Sequence, residues 1–150
     1  MESKYIHRSH NVSVLVYHFV CSAKYRRVVI NKEVDGIIKE TCLEIEKRYE
    51  MRFLEIGMDG DHAHFLIQGV PKYNPSGMIR IVKNLTARAV FEKHPEVKKQ
   101  LWGGEFWSDG FYVSTVGQHG NEKTISTYVK NQGNESNYQV LHKQLQLALF

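Results

Sequence analysis

In Asp61-His62-Ala63-His64-Phe65-Leu66-Ile67, two imidazoles stand two residues apart in a run whose other members favour a β-strand. Residues at that spacing in a strand leave the same face, so His62 and His64 form a two-pronged holder for a metal ion. Far downstream, Thr127-Tyr128-Val129-Lys130-Asn131-Gln132 sets a phenol and a carboxamide four positions apart in a segment without Pro or Gly. On a helix, Tyr128 and Gln132 share a face. Histidine nitrogens and an amide oxygen around one divalent cation leave coordination positions for phosphodiester oxygens, and the phenol of Tyr128 can then attack the polarised phosphorus. Each half also has a plainer reading: closely spaced strand histidines can be partly exposed or hydrogen-bonded, and a helical tyrosine usually packs. Their joint occurrence is what points to chemistry.

Both motifs need rigid elements beneath them. Phe53 to Met58 alternates, with Leu54, Ile56 and Met58 on one side, and Asp59-Gly60 supplies a hairpin turn whose return strand carries the histidines. Asp59 and Asp61 are close enough to orient an imidazole as hydrogen-bond acceptors, although turn chemistry explains Asp59 equally well. Ala63, Phe65 and Ile67 face away from the histidines, which predicts helices on that side and a face open to ligand on the other. Upstream, Val12 to Cys21 reads as a buried strand. It ends in Lys24-Tyr25-Arg26-Arg27, which is either a solvated turn or a set of phosphate contacts beside a ring that stacks on a base. Asn31 caps a helix to about Tyr49, with Val34, Ile38, Cys42, Ile45 and Tyr49 inward. Ser76 is read as the cap of a second helix from about Gly77 to Lys93, with Met78, Ile81, Val82, Leu85 and Ala89 inward and Arg80, Lys83, Asn84 and Arg88 elsewhere. An aromatic loop, Leu101 to Gly110, leads to a fourth strand, Phe111 to Val116. A helix of about 121–133 carries Tyr128, and 134–150 is a Leu-rich amphipathic tail. Strand, helix, two-strand hairpin, helix, strand is an α+β, ferredoxin-like (RRM-like) split βαβ sandwich: an antiparallel sheet with helices on one face and the tyrosine helix appended.

The 150 residues suit a single domain, 1–150. A net charge of +4 and a pI near 9.0 are compatible with a polyanion partner without requiring one. Cys21 and Cys42 form no CxxC, so neither a zinc knuckle nor a disulfide framework is indicated, and a reducing cytoplasm is expected. The polar start, Met1 to His10, lacks a signal-peptide core, and no apolar run reaches membrane-spanning length.

Four landmarks in order resemble the single-tyrosine HUH transposases of the insertion-sequence 200/605 family. They are Lys24-Tyr25-Arg26-Arg27, Asp61-His62-Ala63-His64, Leu101-Trp102 followed by Phe111 to Gly117, and Tyr128 to Gln132. Two positions depart from the family pattern: Ala63 is small where relatives are bulkier, and Ala23 stands where proline is common. The resemblance implies a nuclease and strand transferase acting on single-stranded DNA with terminal hairpins at the ends of a mobile element. Tyr128 is then the nucleophile, forming a 5′-phosphotyrosine link, and His62, His64 and Gln132 hold Mg²⁺ or Mn²⁺. Lys24, Tyr25, Arg26, Arg27, Arg80, Lys83, Arg88 and Lys130 are the candidate DNA contacts. It further implies a homodimer whose tyrosine helix completes the partner's site, without membrane association, acting in a prokaryotic cytoplasm at the nucleoid. The alternative is a non-catalytic nucleic-acid-binding module on the same fold. A metal-free two-histidine phosphoesterase would need a second His-x-Thr/Ser motif, and the residues two after His18, His94 and His119 are Val20, Glu96 and Asn121.

Overall fold

A computed structural model describes residues 7–8, 11–12, 15–116 and 138–139. Tyr128, Lys130 and Gln132, with the expected helix around them, lie outside the described residues. Chain order runs β1 (His7–Arg8), β2 (Asn11–Val12), β3 (Leu15–Ser22), a 3-10 turn (Lys24–Arg26), α1 (Lys32–Arg48), β4 (Arg52–Met58), β5 (His62–Gly69), α2 (Pro75–Lys93), α3 (Glu96–Gln100), β6 (Tyr112–Thr115) and β7 (Tyr138–Gln139). The main sheet is ordered β6-β3-β5-β4-β7, with every described pairing antiparallel. Its first four strands are the expected split βαβ sandwich. The start of the tail, expected to be amphipathic, pairs instead as β7 with β4 at the sheet edge. No helix among the described residues is long and apolar enough to cross a membrane.

The core lies between one sheet face and the helices. Phe19, Cys21, Ala63, Phe65 and Ile67 project into it from β3 and β5 and meet Val34, Ile38, Cys42 and Ile45 of α1 and Met78, Ile79 and Val82 of α2. Asn31 caps α1 as expected, its side chain accepting from Val34 N at 2.9 Å. The cap of α2 is Asn74 rather than Ser76: its side chain accepts from Gly77 N at 2.6 Å, with Pro75 in the first turn where its missing N–H costs nothing. The buried stripe of α2 is Met78, Ile79, Val82, Thr86 and Val90, rotated from the expected one. Thr86 belongs there because its hydroxyl donates to Val82 O at 2.6 Å and accepts from the buried Trp107 Nε1 at 3.0 Å. A polar residue with both hydrogen-bonding roles filled is tolerated in a core.

On β4 the pairing register shifts between Phe53 and Glu55. The irregularity puts Phe53 on the core side with Ile56 and Met58 and leaves Leu54 half-buried, where unbroken alternation would have put Leu54 inward. The opposite sheet face is closed at its centre, where the alternation suggested an open one, and exposed toward β6, where Tyr112 is more than half accessible. His18, Glu55, His64, Leu66 and Gln68 on that face are at most 5 % exposed. Alternation fixes the direction in which a side chain points, but solvent access depends on its neighbours. Here Val16 and Leu66 lie beside the polar groups, and Tyr112 meets His18 edge-on at 6.1 Å.

Candidate metal centre

The β4–β5 turn is short and tied down. Asp59 N donates to His62 O at 2.9 Å, Ala23 N to Asp61 O at 2.8 Å and Ile30 N to Gly60 O at 2.9 Å. A Cβ on Gly60 would come within 2.5 Å of Val28 Cγ1, so a larger residue there would require the exposed Val28 side chain to move. The turn therefore delivers three side chains in fixed positions: Asp59, Asp61 and His62, each about a quarter exposed.

His62 sits between two carboxylates, with Nδ1 at 2.8 Å from Asp61 Oδ1 and Nε2 at 2.8 Å from Asp59 Oδ2. A neutral imidazole carries one N–H, so it cannot donate to both. With Nδ1–H on Asp61, the Nε2 lone pair is turned toward Asp59, the arrangement in which one cation would be shared by the two. Asp61 is suited to the orienting role. The His62 hydrogen bond, aided by Arg26, whose Nε lies 3.3 Å from Asp61 Oδ2, holds its carboxyl below the usual range against the opposing effect of burial.

His64, next on the same face, brings a further donor. One ligand atom each from Asp59, His62 and His64 lie within 4.8 Å of one another. Adjacent ligands of an octahedral ion with bonds near 2.1 Å are about 3 Å apart, close to the Nε2–Oδ2 separation already present. The donor set thus fits a divalent cation. Asp59, expected to act only as an acceptor or turn residue, is placed as a donor.

Sequence reasoning missed His18. On β3 it pairs with Leu66, while His64 pairs with Val20, so the two rings are diagonal neighbours across adjacent strands. They stack at 5.2 Å between centroids, with His18 Nε2 at 3.0 Å from His64 Nδ1. That contact engages Nδ1 and fixes the orientation of the His64 ring beside His62. Substituting His18 with Phe, which keeps an aromatic ring but loses the nitrogen, is expected to raise the Kd for Mn²⁺ about 10- to 100-fold, measured by calorimetry.

Burial is the main cause that lowers the His64 pKa to about 4, with the His18 and His62 charges adding and Asp59 partly opposing. Burial lowers that of His18 as well. At neutral pH His64 is therefore in the uncharged form that ligates metal. The unfolded chain binds this proton near pH 6.5 and the folded chain only near pH 4, so stability is full above pH 6.5 and falls as the pH drops. In metal-free buffer the His64 share of that loss is about 3 kcal/mol by pH 4. Urea titrations at pH 7 and near pH 4 measure it, and the share should vanish in His64→Leu.

Among the candidate DNA contacts, Lys24, Tyr25, Arg26 and Arg27 lie beside this turn. Lys24 N donates to Phe106 O at 2.8 Å, and Ser108 Oγ donates to Ala23 O at 3.0 Å. Lys24 Nζ lies 3.9 Å from Glu105. The α2 cations are on the other side of the sheet, with the helical layer. Arg80 and Lys83 face a groove of about 660 Å³ between α2 and the 103–111 segment. The Lys83 ammonium donates to Ser108 O at 2.8 Å and Gly110 O at 2.9 Å, so it clamps that segment. Arg88 faces a smaller cleft against Thr41 and Glu44 of α1.

Comparison with known proteins gives a coherent result. Residues 11–132 match the family model described as Transposase IS200 like. The chain is 27% identical over 118 residues to the ISDra2 transposase TnpA of Deinococcus radiodurans, covering 79% of this chain and 84% of that one. It is 32% identical over 120 residues to the transposase for insertion sequence element IS200 of Salmonella typhimurium, covering 77% and 75%. A crystal structure of a Deinococcus radiodurans R1 protein assigned as a transposase superposes with a TM-score of 0.68 at 27% identity, over 85% of this chain and 97% of that one. A REP-associated tyrosine transposase bound to a REP hairpin shares the fold, with a TM-score of 0.56 at 12% identity, over 83% and 68%.

Proposed function

Because the chain belongs to the IS200-like transposase family, we propose that it cleaves and rejoins single-stranded DNA at insertion-sequence ends, using Tyr128 as nucleophile beside a divalent cation held at the β4–β5 turn. The observation that carries this reading is the position of His62, locked between Asp59 and Asp61 with His64 alongside, on a turn fixed by backbone hydrogen bonds.

Asp59, His62 and His64, with Gln132 from the late helix, would hold Mg²⁺ or Mn²⁺. When bound, the ion withdraws charge from the scissile phosphate and favours the phenolate of Tyr128, whose ordinary pKa is near 10. Tyr128 Oη forms a bond to phosphorus as the bond from phosphorus to the 3′ oxygen breaks. The leaving 3′ oxygen takes up a proton, and the 5′ phosphate remains esterified to the tyrosine. A 3′-hydroxyl from another end reverses these steps, attacking the phosphotyrosine and returning the phenol. The bond energy is conserved, so rejoining needs no nucleotide cofactor. Asp61 orients His62 and His18 orients His64 throughout. Terminal hairpins are the expected duplex portion of the substrate, in keeping with the hairpin-bound structural neighbour. The working unit is read as a homodimer in which the tyrosine helix of one subunit completes the site of its partner.

The test uses labelled single strands taken from the DNA flanking the gene, incubated with Mn²⁺ or Mg²⁺ and resolved under denaturing conditions. A covalent protein–DNA band that requires the cation supports the reading. Binding without any such band, for strands from both flanks, favours the non-catalytic alternative.

A further inference from the structure

Two of the largest side chains in the described structure are held in water next to the metal turn. Trp102 is 70% exposed and Tyr25 57%, whereas Phe106 and Trp107 of the same aromatic segment are at most 3% exposed. The Tyr25 and Trp102 rings approach to 5.2 Å between centroids, tilted at 54° like an open wedge. A cation lies on each: Arg27 Cζ is 4.6 Å from the Trp102 centroid and Lys24 Nζ is 5.6 Å from that of Tyr25.

The backbone beneath them is strained. Tyr25 (φ 59°), Arg26 (φ 53°) and Trp102 (φ 56°) occupy the left-handed region, which disfavours bulky side chains and is usually left to glycine. Trp102 stands just past the end of α3, where its N–H donates to Lys99 O at 3.0 Å. Glycine would make that turn with less strain. The folded chain thus holds an indole and a phenol in a conformation that yields neither burial nor backbone ease. Strain of this kind concentrates where a ligand is gripped.

We infer that Tyr25 and Trp102, with Arg27 and Lys24 on their flanks, form a stacking site for an unpaired base of single-stranded DNA, positioned beside the metal turn. This rests on the reading given under Proposed function and adds to it a binding residue, Trp102, and the form of ligand it grips. Aromatic faces accept any base, cations beside them meet the adjoining phosphates, and a paired base inside a duplex offers no free face. The link to the metal centre is direct: Arg26 of the same turn reaches Asp61 at 3.3 Å, and Asp61 holds His62 at 2.8 Å. A base gripped here belongs to a nucleotide close to the scissile phosphate.

The experiment uses full-length Tyr128→Phe protein in EDTA, so that neither cleavage nor metal contributes. Its ligands are an oligothymidylate and, separately, a hairpin whose stem is closed by a non-nucleotide linker, so that every base is paired. The oligothymidylate is expected to quench the exposed indole of Trp102, with buried Trp107 as internal reference. Trp102→Gly should remove that quenching and raise the oligothymidylate Kd about 5- to 100-fold, leaving hairpin affinity and the salt dependence unchanged. Arg27→Ala should lower the slope of log Kd against log salt by about 1. Thermal stability of Trp102→Gly should equal or exceed that of the parent, since glycine relieves the left-handed strain. An unchanged Kd, an equal loss on the hairpin, or a lower melting temperature would overturn the assignment, the last by giving the ring to the fold. Cleavage is absent by design, so a negative result here bears on the stacking site and leaves the cation-dependent adduct as the separate test of the nuclease.

Discussion

A Tyr128→Phe protein is expected to form no covalent adduct with insertion-end single strands, its cleavage falling about 10⁴-fold or more, while its Kd for the same strands stays within about twofold. The substitution removes one oxygen and keeps the ring. If that oxygen forms the bond to phosphorus, no neighbouring group can stand in for it: a water at the cation would give free ends and no protein–DNA band. Denaturing gels report the adduct and native gels report binding, on one set of reactions. A tyrosine that only packs its helix would leave the band in place and show itself in stability instead.

The histidine pair, the hairpin beneath it and the order of the four main strands and two long helices were legible from local patterns, whereas α3 and β7 were not. Two-residue spacing in a β-branched and aromatic run sets His62 and His64 on one face, and Asp-Gly before them sets the turn. What escaped the sequence depends on residues distant along the chain. His18 looks like a polar accident in an apolar strand, because its partner His64 is 46 residues away and is reached only through the β3–β5 register. Asp59 reads as a turn former, yet the folded turn swings its carboxylate against His62 Nε2. Leu54 and Phe53 exchange faces because one register shift overrides strict alternation. Thr86 reads as polar until Trp107, 21 residues on, supplies its hydrogen bond. Solvent access was equally hidden: the face carrying the imidazoles is buried at His18 and His64 and, at the end where the β4–β5 turn lies, opens toward His62, Asp59 and Asp61. Trp102 shows the converse, since nothing in its sequence separates it from the buried Trp107.

The opening at one end of a buried face also governs what loss of His64 should do. His64→Ala removes one of the three described donors and the ring against which His18 stacks. The Kd for Mn²⁺ should rise about 100-fold or more, and adduct formation should fall about 10³-fold at a fixed cation concentration. DNA binding should be nearly unaffected, because Lys24, Tyr25, Arg26 and Arg27 lie on a separate turn. Stability distinguishes a ligand from a packing residue in the same variant. At pH 7 without metal, the lost packing costs His64→Ala some stability relative to the parent. As the pH falls the parent loses the free energy tied to its depressed His64 pKa and the variant does not, so the gap narrows toward pH 4. Added Mn²⁺ at pH 7 should widen it, since the cation stabilises the folded parent in proportion to its affinity. A gap indifferent to Mn²⁺, with cleavage intact, would leave His64 a core residue and place the cation elsewhere.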